Sequence, residues 1–195
     1  MKDIDLLNKK LKEACLINGM CKDYREKWQS DKTYQELIDT MKSDPLFVYR
    51  VPYIRNEMFS NYFDHNLLKQ NDIYVNNDFI TELNTNCIFL FGDSKINVSL
   101  NKGEYKFYLF ENSCLDINVS DECFIKIYLL ERSKCAINTQ NIKRKPIIEL
   151  IDNECTINTD NTDIIIYKRP GFSKSVKEKY NLPLPSGWTI QTASE

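Results

Sequence analysis

Between about Cys87 and Tyr167 apolar and polar residues alternate with period two, and the alternation itself recurs every 20 or 21 residues. Isoleucine followed by asparagine marks the recurrence at Ile96-Asn97, Ile117-Asn118, Ile137-Asn138 and Ile157-Asn158. Aligned on that isoleucine, the residue two places later is Val98, Val119, Thr139 and Thr159, and the residue two places earlier is Ser94, Leu115, Cys135 and Cys155. Phe89, Phe110, Leu130 and Leu150 fall seven places before it, and Cys87, Tyr108, Tyr128 and Ile148 nine places before. Successive side chains of a strand point to opposite faces, so each of these columns belongs to one face. Each repeat therefore reads as two short strands, such as Lys126 to Leu130 and Cys135 to Thr139, divided by polar corners such as Glu131-Arg132-Ser133 and Asn141-Ile142-Lys143-Arg144.

A fixed period near 20 with recurring apolar columns is the mark of stacked coils, because one coil cannot bury its own inward side chains. The expected fold is α+β: a helical head followed by a small parallel β-solenoid, a β-helix of about four coils. In that register Ile96, Ile117, Ile137 and Ile157 make one inward ladder and the four following asparagines an outward one. Cys135 and Cys155 then stack about 4.8 Å apart in the core. An antiparallel meander would turn through Asn-Gly or Asp-Gly pairs. The repeat region has neither, and its two glycines are Gly92 and Gly103.

Upstream the period changes to that of a helix. Leu7, Leu11, Ala14 and Cys15 fall on one helical face, and Asn18-Gly19 is a fitting stop. Cys21, Tyr24 and Trp28 mark the face of a second helix. Thr33 and Glu36 suit a capping box ahead of the stripe Tyr34, Leu37, Ile38 and Met41. Residues 1–43 form this head. Residues 44–84 are a connector, with a short helix after Asp44-Pro45 and another after Pro52 that carries Ile54, Met58, Phe59, Tyr62 and Phe63. The stretch from Asn66 to Asn86 reads as irregular around an isolated strand, Ile73-Tyr74-Val75. The solenoid occupies 85–167. Residues 168–195 are a locally basic tail broken by Pro170, Pro183 and Pro185, with Trp188 and Ile190 as apolar anchors for a cap over the last coil.

Composition narrows the function less than the fold. The 195 residues carry 26 basic and 28 acidic side chains, a net charge of -2, so nothing draws the whole molecule to nucleic acid or an anionic membrane. No leader pattern follows Met1 and no apolar run is long enough to span a bilayer. The seven cysteines form no C-x-x-C pair and read as reduced thiols serving as small hydrophobes. His65 is the one histidine, too few for a metal centre and read as a surface residue rather than a base for a cysteine. Lys143-Arg144-Lys145 reads as a solvated corner. The sequence names no catalytic, cofactor-binding or metal-ligating residue.

The segment Gly19-Met20-Cys21-Lys22-Asp23-Tyr24-Arg25-Glu26-Lys27-Trp28, followed by Glu36-Leu37-Ile38-Asp39, resembles the helical N-terminal module of uncharacterised proteins of Bacteroidota and of their phages and mobile elements. Those proteins share the plan of helical head, linker and C-terminal β-repeats, and the likeness runs from about residue 10 to 167. This chain departs from them in the scarcity of glycine in its coils. The resemblance implies the fold and a bacterial, phage-related setting, but no chemistry. The expected function is a non-enzymatic interaction or assembly module in the cytoplasm of a bacterial host, working with a protein partner or as a homo-oligomer. Two alternatives stand beside it: an enzyme or small-ligand-binding protein with an unrecognised site, and a weak nucleic-acid binder acting through the basic tail.

Overall fold

The computed structural model describes residues 3–19, 25–26, 28, 31–45, 48, 51, 53–78, 80–152, 154–159 and 164–168. Helix α1 (Ile4–Ile17) starts where the Asp3 carboxylate accepts the N–H groups of Asp5 and Leu6, and it buries Leu7, Leu11, Ala14 and Cys15 as the spacing predicts. Helix α2 (Tyr34–Ser43) opens on the Thr33–Glu36 capping box and buries Leu37, Ile38 and Met41. Helix α3 (Asn56–Tyr62) turns Met58 and Phe59 inward. Helix α4 (His65–Gln70) is capped by Asp64 and lies within the stretch expected to be irregular. The expected second helix lies mostly outside the described residues, although Trp28 is buried in the head's core. No helix among the described residues is long and apolar enough to cross a membrane.

Eight strands follow: β1 (Ile73–Val75), β2 (Cys87–Phe91), β3 (Lys95–Leu109), β4 (Cys114–Leu129), β5 (Lys134–Gln140), β6 (Ile147–Leu150), β7 (Thr156–Asn158) and β8 (Ile165–Lys168). All their pairings are parallel, as a solenoid requires. The first side of the coils stacks β1, β2, the second half of β3, the second half of β4, β6 and β8. The other side stacks the first half of β3, the first half of β4, β5 and β7. The strand expected to stand alone, Ile73-Tyr74-Val75, is the first rung of the stack, paired with Phe89-Leu90-Phe91.

Between the two sides the chain turns through a tight corner whose first residue is left-handed. Asn76, Gly92, Glu111 and Glu131 have φ of 53°, 67°, 59° and 59°. At Gly92 a methyl group would collide with the Asn76 side chain, so a larger residue there would have to displace Asn76 as well as adopt a left-handed φ. The corners that begin at Gly92, Glu111 and Glu131 each close on a fully buried serine. Ser94 and Ser113 donate from Oγ to the carbonyls of Phe91 and Phe110 at 2.7 Å, and Ser133 Oγ accepts the Leu130 N–H at 3.0 Å. Buried backbone groups at the bend, which strand pairing leaves unpaired, are thereby satisfied.

The register differs from the one read by aligning isoleucines. Ile96 stacks on Leu115, not on Ile117, and Ile157 stacks on Cys135, not on Ile137. Two inward columns result: Ile96–Leu115–Cys135–Ile157, and Val98–Ile117–Ile137. The coil offset on this side is 19 between β3 and β4, 20 between β4 and β5, and 22 between β5 and β7. A register shift between Leu100 and Lys102 lengthens the later part of β4's coil by one residue. Slips of two residues leave every side chain on its own face, so period-two alternation cannot detect them. The asparagine ladder splits in the same way: Asn138 donates to Asn118 at 3.2 Å, while Asn97 lies beside Asp116. Cys155 does not stack on Cys135; it follows Ser133 at the corner and donates to the Glu131 carbonyl at 3.3 Å. On the first side Phe89 pairs with Tyr108, which pairs with Tyr128, so this column does not run through Phe110 and Leu130.

Two hydrophobic clusters hold the molecule. One lies inside the coils and includes Ile88, Leu90, Phe107, Leu109, Ile117, Ile127 and Ile137. The other joins the outer surface of the first side, with Phe89, Phe91, Tyr108, Phe110, Tyr128 and Leu130, to Leu7, Leu37, Met58 and Phe59 of the helices. The helices of head and connector therefore share one core with the side of several coils, and Phe59 of α3 meets Phe91 with ring centroids 4.7 Å apart. Full burial of each such residue contributes about 1.5–3 kcal/mol. Ile137→Asp, which places a charge in the inner cluster, is expected to abolish the cooperative thermal transition, as circular dichroism would register. Ile117→Ala is expected to keep the fold while losing about 2–5 kcal/mol in denaturant titration.

Candidate interaction surfaces

The described cysteines carry no sign of an activated thiol. Cys15 and Cys135 are pushed up to about 12, and Cys123 and Cys155 to about 11, in each case chiefly because burial disfavours the thiolate. His65 is exposed in the first turn of α4. No group of three His, Cys, Asp or Glu side chains among the described residues is arranged to hold a metal ion. The basic corner pairs within the stack: Lys143 meets Glu122 of the preceding coil at 2.7 Å, and Arg144 reaches Glu104 two coils back at 3.4 Å. Exposed pairs of this kind contribute about 0–1 kcal/mol each.

The second side of the coils faces away from the head. Its outward residues form rows: Lys95, Cys114, Lys134 and Thr156; then Asn97, Asp116, Ala136 and Asn158; then Ser99, Asn118 and Asn138. The first two rows line a shallow groove of about 450 Å³. Ala136 opens it, because its side chain is the shortest in a row of longer polar ones. The inner column beneath the groove includes Cys135, so the thiol is part of its floor while remaining closed to solvent.

At the tight corner the acidic side chains form a chain of caps. Glu111 accepts the N–H of Gly92, Glu131 accepts the N–H of Glu111 at 2.7 Å, and Asp152 accepts the N–H of Glu131 at 2.7 Å. Each carboxylate thus holds the left-handed residue of the coil before it. Arg55, at the start of α3, donates to Glu131 at 3.1 Å and lies 5.6 Å from the centre of the Phe110 ring, locking the connector onto this corner. Glu111 sits above its usual carboxyl range. Burial is the main cause; the Gly92 N–H opposes it, the Glu131 charge adds to it, and Arg55 and the Asn56 N–H oppose it.

The two ends of the stack differ. The first strand, Ile73–Val75, is flanked by α3 and α4, and its three residues are buried. At the far end β8 pairs with β6 alone among the described residues. The inner column Ile88, Phe107, Ile127 and Ile148 is wholly buried, yet its last member, Ile166, is 43% exposed. Tyr167 beside it is 51% exposed. The residues expected to cover this coil, from Arg169 to Glu195 and including Trp188 and Ile190, lie outside the described residues.

Native-state thiol labelling is expected to be about tenfold or more slower at Cys135 than at half-buried Cys114, with the difference vanishing in denaturant, as mass spectrometry of labelled peptides would show. Raised by burial, Glu111 binds its proton more tightly in the folded chain than in the unfolded one. Its ionised form therefore costs stability above the folded pKa, and the cost fades as pH falls toward the ordinary value of 4.5. Glu111→Gln keeps an acceptor for Gly92 and removes the charge. Calorimetry is expected to show Tm about 1–4 °C higher at neutral pH, with the gain shrinking on acidification.

No family model, no curated protein and no solved structure matches this chain.

Proposed function

We propose that the chain is a non-enzymatic assembly module whose docking surface is the open strand of the last coil. The observation that carries this reading is the exposure of Ile165, Ile166 and Tyr167 on a strand with a free hydrogen-bonding edge among the described residues. An unpaired row of N–H and C=O groups beside apolar side chains is a template for another chain's strand. The other end is closed by α3 and α4, so two copies that meet through the open coil would form a closed, two-fold pair rather than a filament. The rigid stack then fixes the distance between the two heads. The resemblance of the head to modules of Bacteroidota and their phages supports a cytoplasmic, phage- or mobile-element-related setting for that assembly.

The groove on the second side supports a second reading, a site for a small or extended ligand held between the Lys134 row and the Asp116 row.

The first reading is tested by sedimentation of the full chain over a range of concentrations. Association is expected, and the double variant Ile166→Lys, Tyr167→Lys is expected to weaken it about tenfold or more without lowering the thermal transition. Association unchanged in that variant would move the interface away from the last coil. Filling the groove with Ala136→Arg is expected to leave association unaltered.

A further inference from the structure

Resting on the reading of the last coil as a docking edge, we infer that its occupant is the same strand of a second copy, paired antiparallel with Ile166 on the two-fold axis. Apolar exposure is concentrated there: among the described residues, the large apolar side chains exposed on strands are Ile165, Ile166 and Tyr167, all of β8. The backbone fixes which groups are free. Ile165 N–H donates to the Pro146 carbonyl at 2.9 Å, on the β6 side. Successive residues of a strand direct their N–H and C=O to alternate edges, so Ile165 and Tyr167 pair with β6, while Ile166 and Lys168 present theirs to the open edge. An antiparallel neighbour meets such residues in directly opposed pairs that exchange both backbone bonds. A two-fold axis through Ile166 makes Ile166 and its copy one such pair. It also sets Lys168 against Ile164 of the second copy, and Ile165 against Tyr167.

Burial restricts the register. Directly opposed residues of antiparallel strands point to the same face. Ile166 continues the inner column Ile88–Phe107–Ile127–Ile148, whereas Ile165 and Tyr167 stand on the outer face beyond Ile147 and Glu149. A slip of one residue would oppose Ile166 to an outer residue and mismatch both faces, so the axis passes through a residue rather than between two. Lys168 selects which one. It ends the inner column Leu90–Leu109–Leu129–Leu150 with a cation, and an inward charge of this kind discourages indiscriminate strand addition. With the axis on Tyr167, the two lysines would lie diagonally across the strand pair on the inner face, each opposite an Ile166. With the axis on Ile165, Tyr167 would lose Ile165 as its partner. With the axis on Ile166, the lysines fall at opposite ends of the paired segment, and each lays its methylenes along Ile164, which already packs partly into the inner cluster. Both outer pairs then join a β-branched to an aromatic side chain, a favoured cross-strand match. All three exposed residues are covered at once. The first strand of each copy is closed by α3 and α4, so pairing stops at two copies, and the first-side strands of both form one continuous sheet.

The test is disulfide trapping in the full chain, read together with sedimentation and amide exchange. In this register Ile165 and Tyr167 of opposite copies are a pair without mutual backbone bonds, with Cα atoms about 4.5 Å apart, a separation that a disulfide spans. Under mild oxidation, an equimolar mixture of Ile165→Cys and Tyr167→Cys chains is expected to form the mixed 165–167 link about tenfold or more faster than either variant links to itself. Mass spectrometry identifies the linked peptides, and the parent chain gives the background from its own thiols. In the parent, exchange of the Ile166 and Lys168 amides is expected to slow about tenfold or more as concentration rises through the association range, with Ile165 and Tyr167, already bonded to β6, unchanged. Association accompanied by preferential 165–165 or 167–167 links would overturn the inference and leave docking at the last coil standing. Association without added protection at Ile166 would overturn it as well. So would protection of Ile166 in the dilute monomer, which would close the edge within one chain. A chain that stays monomeric at every concentration would remove the inference and the docking reading together. The parent's amide exchange decides the matter if the cysteine variants do not fold.

Discussion

The strands on the first side of the earlier coils are buried on both faces, and the rest of the molecule follows from that constraint. Cys87-Ile88-Phe89-Leu90-Phe91 is a continuous apolar run because Ile88 and Leu90 face the inside of the coil while Phe89 and Phe91 face the helices. A strand that is polar on one face needs only its own sheet; this one needs a second layer. The head supplies it, and the aromatic rows show how tightly: Phe91 and Phe110 stack with centroids 4.6 Å apart, and Tyr108 and Tyr128 at 4.6 Å. That separation is close to the rise between coils, so stacking of rings and pairing of strands impose the same spacing. Among the described residues no helix packs over the second side of the coil, and its outward rows are correspondingly polar.

How much of this could be read from the chain depends on which physical signal each feature left. Parallel coils, two strands per coil and the helices α1 and α2 follow from period two and period 3.6, both strongly expressed. The register did not, because isoleucine fits any inward position and a slip of two residues costs nothing in alternation. The better marker was the corner. Gly92-Asp93-Ser94, Glu111-Asn112-Ser113 and Glu131-Arg132-Ser133 each place a left-handed residue two before a buried serine, and their offsets of 19 and 20 are the observed register. Corners are constrained by backbone geometry as well as by polarity, so they tolerate fewer substitutions than a column that asks only for an apolar side chain. The same corner explains what the sequence could not show about Glu111, Glu131 and Asp152. Their acidity looks like solvated surface until the stack brings each under the N–H of the coil before it.

Burial also sets the state of the described thiols and of the corner carboxylates. Thiols at Cys15 and Cys135 are held near 12 by desolvation, which suits side chains that fill space beside isoleucine and leucine. The carboxylates at the corner are each occupied by a backbone N–H, and Arg55 is shared between Glu131, the carbonyls of Val51 and Ile54, and the face of Phe110. Groups engaged in this way hold the start of α3 to the solenoid. The fully buried Asp72 repeats the pattern at the first coil, where it accepts the Tyr74 hydroxyl and the N–H groups of Asn84 and Thr85 and so fastens the loop that leads into β2.

The ends remain the one place where the repeat does not solve its own problem. Every interior coil is covered by the coils on either side, and this argument fails once at each terminus. At β1 the chain met the difficulty by placing helices in front of the strand, so that Ile73, Tyr74 and Val75 are as dry as any interior rung. The far terminus follows the same inward pattern through Ile148 to Ile166, and a column that recurs in this way is a demand for cover whatever supplies it. A polar residue at position 166 would have ended the column and made the edge harmless, which is the usual way an edge strand is blunted. The chain instead keeps three apolar residues there, Ile165, Ile166 and Tyr167, so the last coil carries the pattern of an interior one without its cover among the described residues.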